Sequence, residues 1–305
     1  MLIEVNEESY KKYFPNDPHP FISSSFITLN NSKTDRIIRL VHDSEKPEIG
    51  LIAGIKNNNL LSPFSAPFGG FHFKKENVYS DTVDIFISSL KEYLEVKQLG
   101  IKLILPPYIY HQTFNAKCAN SLIRHGFNLE LPDITSWIDL YNFTGKYSQK
   151  NSREYYRQAE RNNLVFEITQ KEDDHEEIFE IIRENRARFG RPIYMTLADI
   201  KKTGDLWPVD FFKVSTPEGD IVASAIFYRF HSDVVYAVFW GDNDMGRPLR
   251  AMDYMLLNLW SYYKDKGYQY IDLGISTEEG TPNNGLLRFK ETHEAVSTLK
   301  YSFNL

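Results

Sequence analysis

Apolar positions along the chain switch repeatedly between two periods, and each switch marks an element. Continuous runs at Ile37-Ile-Arg-Leu-Val and Ile49-Gly-Leu-Ile-Ala-Gly-Ile predict two strands, the second buried on both faces. Leu60 to Phe73 reads as an extended segment broken by Pro63, Pro67, Gly69 and Gly70. Val83, Phe86, Ile87, Leu90 and Leu94 then recur at helical spacing, and Gly100 is the expected stop before the strand Ile101-Lys-Leu-Ile-Leu. Further on, Asp173 to Phe189 predicts a helix with Asp173 as N-cap, Glu176 as its reciprocal partner, and Ile178, Ile181 and Ile182 inward. Ile221 to Tyr228 and Val234 to Trp240 predict an antiparallel pair across the polar turn at His231, Ser232 and Asp233. Met252, Met255, Leu256, Leu259 and Tyr263 share a helix face, Gly267 ends it, and Tyr268 to Leu273 begins a strand.

The order strand, strand, helix, glycine, strand therefore occurs twice. Sliding one half by 167 positions (267 minus 100) lays Gly100 on Gly267, Leu90 on Leu257 and Tyr93 on Trp260. Between the halves, Tyr141 to Asn163 is polar and poor in branched aliphatics, so the boundary is expected near residue 145, giving domains 1–145 and 146–305. The fold class is α/β (α+β): two tandem domains, each a mixed, largely antiparallel sheet flanked by helices.

Composition narrows the partners. With 35 basic and 41 acidic residues the net charge is −6, which disfavours a protein that coats duplex DNA. Cys118 is the single cysteine, so no intrachain disulfide or Cys-rich metal site is expected, and a reducing, cytoplasmic compartment fits. The first residues lack a basic start followed by an apolar stretch, and no apolar run approaches the roughly 20 residues that span a bilayer. The eight histidines show no paired metal spacing, so no metal is expected.

Certain motifs resemble a known family. Tyr270-Ile-Asp-Leu-Gly-Ile-Ser-Thr, Gly280 and Gly285-Leu-Leu-Arg-Phe-Lys look like the C-terminal signature of the tandem GNAT-fold proteins, among them the FemABX-like peptidyltransferases that add amino acids to peptidoglycan precursors. The basic helix Arg153 to Arg161, the turn Arg186-Ala-Arg-Phe-Gly-Arg-Pro and the strand pair Ile221 to Trp240 are similar as well. The resemblance implies acyl or aminoacyl transfer to an amine, with acyl-CoA or aminoacyl-tRNA as co-substrate and no covalent cofactor. Two departures stand out. The turn Gly246-Arg-Pro-Leu-Arg-Ala-Met has one glycine where GNAT enzymes carry several, and His293-Glu294 replaces an aromatic-Gly pair.

Such transfer needs a deprotonated nucleophile, donors aimed at the developing oxyanion and a route for the leaving group's proton. Lys290 is the leading catalytic candidate, since the resemblance implies that the corresponding lysine stabilises an oxyanion or a phosphate; its bland reading is a solvated helix lysine. Asp272, on one strand face with Tyr268, Tyr270 and Gly274, could order a water or an ammonium substrate or be a hydrogen-bonded structural acid. Gly246, Arg247, Leu249 and Arg250 are the candidate co-substrate site, because the arginines flank a helix start that favours anions. Ser65, Gly69 and Gly70 permit close backbone approach to a substrate or form a tight bend. Arg188, Arg191 and Phe289 complete the candidate substrate residues. Arg153, Arg157 and Arg161 form a stripe that either touches a nucleotide or tRNA backbone or is an ordinary exposed face.

The function expected is an N-acyltransferase acting on a small-molecule or cell-envelope-precursor amine. The alternative is a non-catalytic binding protein for a nucleotide-linked envelope precursor.

Overall fold

The two repeats become two sheets in a computed structural model that describes every residue from Met1 to Leu305. In the first sheet, β1 (Leu2–Glu4), β2 (Arg36–His42), β3 (Ile49–Lys56), β4 (Asn59–Ser62), β5 (His72–Phe73), β6 (Gly100–Ile104) and β7 (Asn128–Leu129) are joined by the last strand of the chain. In the second, the order runs from β8 (Asp133–Asp139) to β13 (Tyr270–Ile275), β12 (Val234–Asp242), β11 (Ile221–Tyr228), β10 (Val209–Ser215) and β9 (Val165–Thr169). A small hairpin, β14 (Thr277–Glu278) and β15 (Thr281–Pro282), precedes β16 (Ala295–Lys300), which flanks β8, and β17 (Ser302–Asn304), which closes the first sheet.

Each sheet contains a parallel pair that a helix bridges. Helix α3 (Ser80–Lys97), which follows α1 (Glu7–Tyr13) and α2 (Ser24–Leu29), connects the parallel strands β4 and β6. Helices α4 (Gln112–Arg124), α5 (Lys150–Glu160), α6 (Glu172–Arg188) and α7 (Leu197–Thr203) come next. Helix α8 (Ala251–Asp265) connects the parallel strands β12 and β13, and α9 (Asn284–Thr292) follows. A parallel pair requires such a crossover, because a tight turn can join only antiparallel neighbours. Burial follows the predicted faces: Val83, Phe86, Ile87, Leu90 and Leu94 are buried on α3, and Met252, Met255, Leu256, Leu259 and Tyr263 on α8. Together these elements form a mixed α/β architecture of two mostly antiparallel sheets flanked by helices.

Two caps differ from expectation. Gln98, with φ 54°, closes α3 in the left-handed conformation, while Gly100 opens β6 and is packed against Asn59. The 167-residue slide thus aligns the helices but not their ends; Gly267, with φ 87°, does follow α8. Helix α6 is capped two residues earlier than read, with Lys171 as N-cap and no side-chain cap. Asp174, not Asp173, carries the local bonds, accepting from Thr169 Oγ1 at 2.6 Å and Lys213 Nζ at 2.9 Å.

The chain divides into a first unit of Met1–Thr135, Thr277–Pro282 and Thr298–Leu305 and a second of Ser136–Ser276 and Asn283–Ser297. The division falls about ten residues before the polar stretch near 145, because β8 pairs into the second sheet, and β17 returns the C-terminus to the first. No helix is long and apolar enough to cross a membrane.

Candidate functional site

Within the second unit, β12 and β13 pair only from Val234 to Tyr236 against Tyr270 to Asp272. Beyond that they no longer pair with each other, although β12 runs on to Asp242 and β13 to Ile275. Two local features turn them. Asp272 Oδ1 accepts the Gly274 N–H at 2.8 Å, and Gly274 takes φ 66°, a conformation that costs glycine little. On β12 the register against β11 skips a residue between Ala237 and Phe239, the signature of a β-bulge.

A cavity of about 660 Å³ opens in this unit, lined only by its own residues. The end of α6 contributes Asn185 and Arg186, with Phe189 and Arg191 just beyond. Trp240, Gly241 and Asp242 come from β12, Arg247 and Arg250 from the turn after it, and Ala251, Met252 and Asp253 from the first turn of α8. Asn283, Gly285, Leu286 and Phe289 close the wall from α9. Four guanidiniums, two carboxylates and several large apolar side chains therefore face one space, the composition expected of a site for an amphipathic anion.

The turn from Asn243 to Arg250 is built by its own hydrogen bonds. Asn243 donates through Nδ2 to Ile221 O at 2.9 Å and accepts the Gly246 N–H at 2.9 Å. Gly246 is pressed so closely on the Val222 carbonyl that no side chain fits there. Arg250 precedes α8 with φ 59° and no side-chain cap, leaving the helix start open, and its guanidinium lies 3.7 Å from the centre of the Tyr155 ring. Arg247 stands 3.6 Å from Asp242 and 3.7 Å from Asp244. Of the four residues expected to hold a co-substrate, Arg247 and Arg250 line the cavity. Gly246 shapes the turn, and Leu249 packs on the core while its carbonyl accepts from Asn162.

The two cavity carboxylates are held differently. Burial raises the Asp242 carboxyl above its usual range, with Arg247 and Arg188 opposing, and Asn185 Nδ2 donates to it at 2.8 Å. Asp253 Oδ1 is 3.3 Å from His293 Nε2. The other ring nitrogen of His293 is 2.6 Å from Phe289 O, which makes Nδ1 the donor, and Trp260 Nε1 donates to the His293 carbonyl at 3.0 Å.

Lys290 does not line the cavity. It is buried on α9, and Nζ donates to Gly274 O at 2.8 Å and Ile275 O at 2.9 Å. Burial pushes its pKa down to about 7, against the pull of the Asp272 charge. Asp272 is buried as well, across the parallel register from Tyr236. Among the substrate candidates, Arg191 and Phe289 line the cavity, while Arg188 pairs with Asp244 at 3.1 Å. Ser65, Gly69 and Gly70 belong to the first unit. Ser65 bonds Asn30 and Lys33, Gly69 is packed on Ser62 and Pro63, and Gly70, with φ 110°, faces Pro106. Arg153 caps the carbonyls of Tyr147 and Ser148. Sequence reasoning missed Arg186, Trp240, Asp242 and Asp253. Only Arg186 had a signal, as the first residue of the arginine-rich turn. No cluster of three or more His, Cys, Asp or Glu side chains stands ready for a metal ion.

No family model and no curated protein matches this sequence. Solved structures do match its fold. FemX aligns with 100% of this chain and 96% of its own at 10% identity and a TM-score of 0.69. L-PGS from Bacillus licheniformis aligns with 98% and 92% at 14% identity and a TM-score of 0.61. A tandem GNAT protein from the clavulanic acid biosynthesis pathway aligns with 100% and 98% at 7% identity and a TM-score of 0.55.

Proposed function

For a chain that carries the tandem GNAT fold along its whole length, we propose acyl or aminoacyl transfer from a phosphate-bearing donor to an amine, carried out in the arginine-lined cavity of the second unit. The observation that carries this reading is the meeting of Arg247, Arg250 and the uncapped start of α8 at one wall of that cavity. Guanidiniums and unpaired helix N–H groups together suit a phosphate. Neighbours of the same fold include FemX and L-PGS, which supports transfer as the reaction class.

In the step proposed, the amine attacks the donor carbonyl. A C–N bond forms, the bond from carbonyl carbon to the leaving oxygen or sulfur breaks, and one proton passes from the amine to the leaving group. Asp253 is the carboxylate at the cavity wall that receives the proton the amine sheds. Phe189, Trp240 and Phe289 restrict water around the reacting carbonyl, which strengthens each polar contact there. Lys290 acts as a positioning residue: by fastening α9 to the end of β13 it sets Leu286 and Phe289 in the wall. The acceptor proposed is a cell-envelope precursor amine.

Thermal-shift titration of the purified protein tests the donor class. Stabilisation by an acyl-CoA or an aminoacyl-tRNA supports the reading. A response confined to nucleotide-linked envelope precursors, without turnover, would instead identify a binding protein.

A further inference from the structure

Arg186 lines the cavity with no acidic or carbonyl partner for its guanidinium. Its Nε is shut off from solvent and makes no hydrogen bond. The guanidinium lies 5.6 Å from the centre of the Phe239 ring, and its charged neighbour is a second cation, Arg191. Burial first, then Arg191, lowers the pKa of Arg186 below the ordinary arginine value. By contrast, Arg247 stands beside Asp242 and Asp244, and Arg250 stacks on Tyr155. The C-terminal end of α6 favours a cation electrostatically, but that field supplies no acceptor to the buried N–H. A half-buried guanidinium with a shielded, unbonded N–H beside a like charge is better satisfied when something anionic completes it, and its planar fork matches an oxyanion.

We infer that Arg186, with Arg191, forms a second anion subsite on the α6 wall of the cavity, which takes a phosphate or carboxylate group of a substrate. It lies apart in sequence from the Arg247 and Arg250 wall, so the cavity is matched to substrates that present two anionic groups. This inference uses the substrate cavity proposed above but requires only that the cavity bind an anion, so its test stands whether or not acyl transfer is found.

The test is a melting-temperature titration of the full chain at constant ionic strength, with inorganic phosphate in one arm and acetate in the other. Wild type gains about 3 °C or more from at least one anion, and the responding arm tells a phosphoryl from a carboxylate preference. Arg186→Gln loses most of that gain while Arg247→Gln keeps a clear part of it. Without anion, Arg186→Gln melts at or above wild type, because the unpaired charge is gone; a merely structural arginine would give the opposite sign. A wild-type protein indifferent to both anions, or an Arg186→Gln protein with the full gain, overturns the subsite. Should that variant not fold, the Arg186 Nε–H resonance of wild type is followed instead: a shift on adding the anion supports the subsite, and a fixed resonance overturns it.

Discussion

Lys290 Nζ donates to the Gly274 carbonyl at 2.8 Å from a site that holds its pKa at about 7. Between about pH 7 and the ordinary lysine range, the folded chain therefore binds fewer protons here than the unfolded chain. Stability from this group rises with pH across that window and is lowest below about pH 7. Unfolding free energies of wild type and Lys290→Met from denaturant titrations near about pH 6 and about pH 9 should differ by about 2–3 kcal/mol in their pH response. Wild type gains on going to the higher pH. The variant gains less, and groups common to both cancel in the comparison.

Gly246 has no room for a side chain beside the Val222 carbonyl. Gly246→Ala must displace the turn that carries Arg247 and Arg250, at a cost of about 1–3 kcal/mol. Chemical denaturation measures the loss, and donor binding should weaken with it.

Arg250 separates stability from binding. Its φ of 59° costs a non-glycine residue about 1 kcal/mol, while its stacking on Tyr155 returns about 0.5–1 kcal/mol. Arg250→Gly should hence change stability by less than about 1 kcal/mol. Its kcat/KM for the donor should fall at least about tenfold through the lost phosphate contact. Calorimetry and steady-state kinetics on one preparation read both.

Cys118 is buried on α4, and burial pushes its thiol far above the usual range despite nearby Lys117. Only the thiolate reacts, so a disulfide reagent should label the folded chain at least about 100-fold more slowly than the denatured chain. Fast labelling under native conditions would show that α4 opens readily.

Much of the fold was legible because burial imposes periodicity. The helical repeat through Met252, Met255, Leu256 and Leu259 and the apolar run of β3 are direct consequences of a face, or two faces, turned from water. Caps were less legible: Gln98 takes the left-handed position that glycine usually fills, and the Asp173 signal at α6 went to Asp174 through Thr169 and Lys213. Charged motif residues marked the neighbourhood of the cavity, since Arg247, Arg250, Arg191 and Phe289 all line it. Asp242 and Asp253 left no trace in the pattern. Each is a single acid whose importance arises from a strand end or helix start that meets the others only after folding. Lys290 shows the converse, a recognisable position whose burial under β13 spacing cannot report.

The most direct measurement follows transfer of a labelled acyl group, from acyl-CoA and aminoacyl-tRNA panels to amine acceptors, by wild type and by the Arg247→Ala, Arg250→Ala double variant. The account predicts turnover by wild type with one donor class and a loss of at least about 100-fold in kcat/KM in a variant that still folds. Undiminished turnover by the double variant would contradict it.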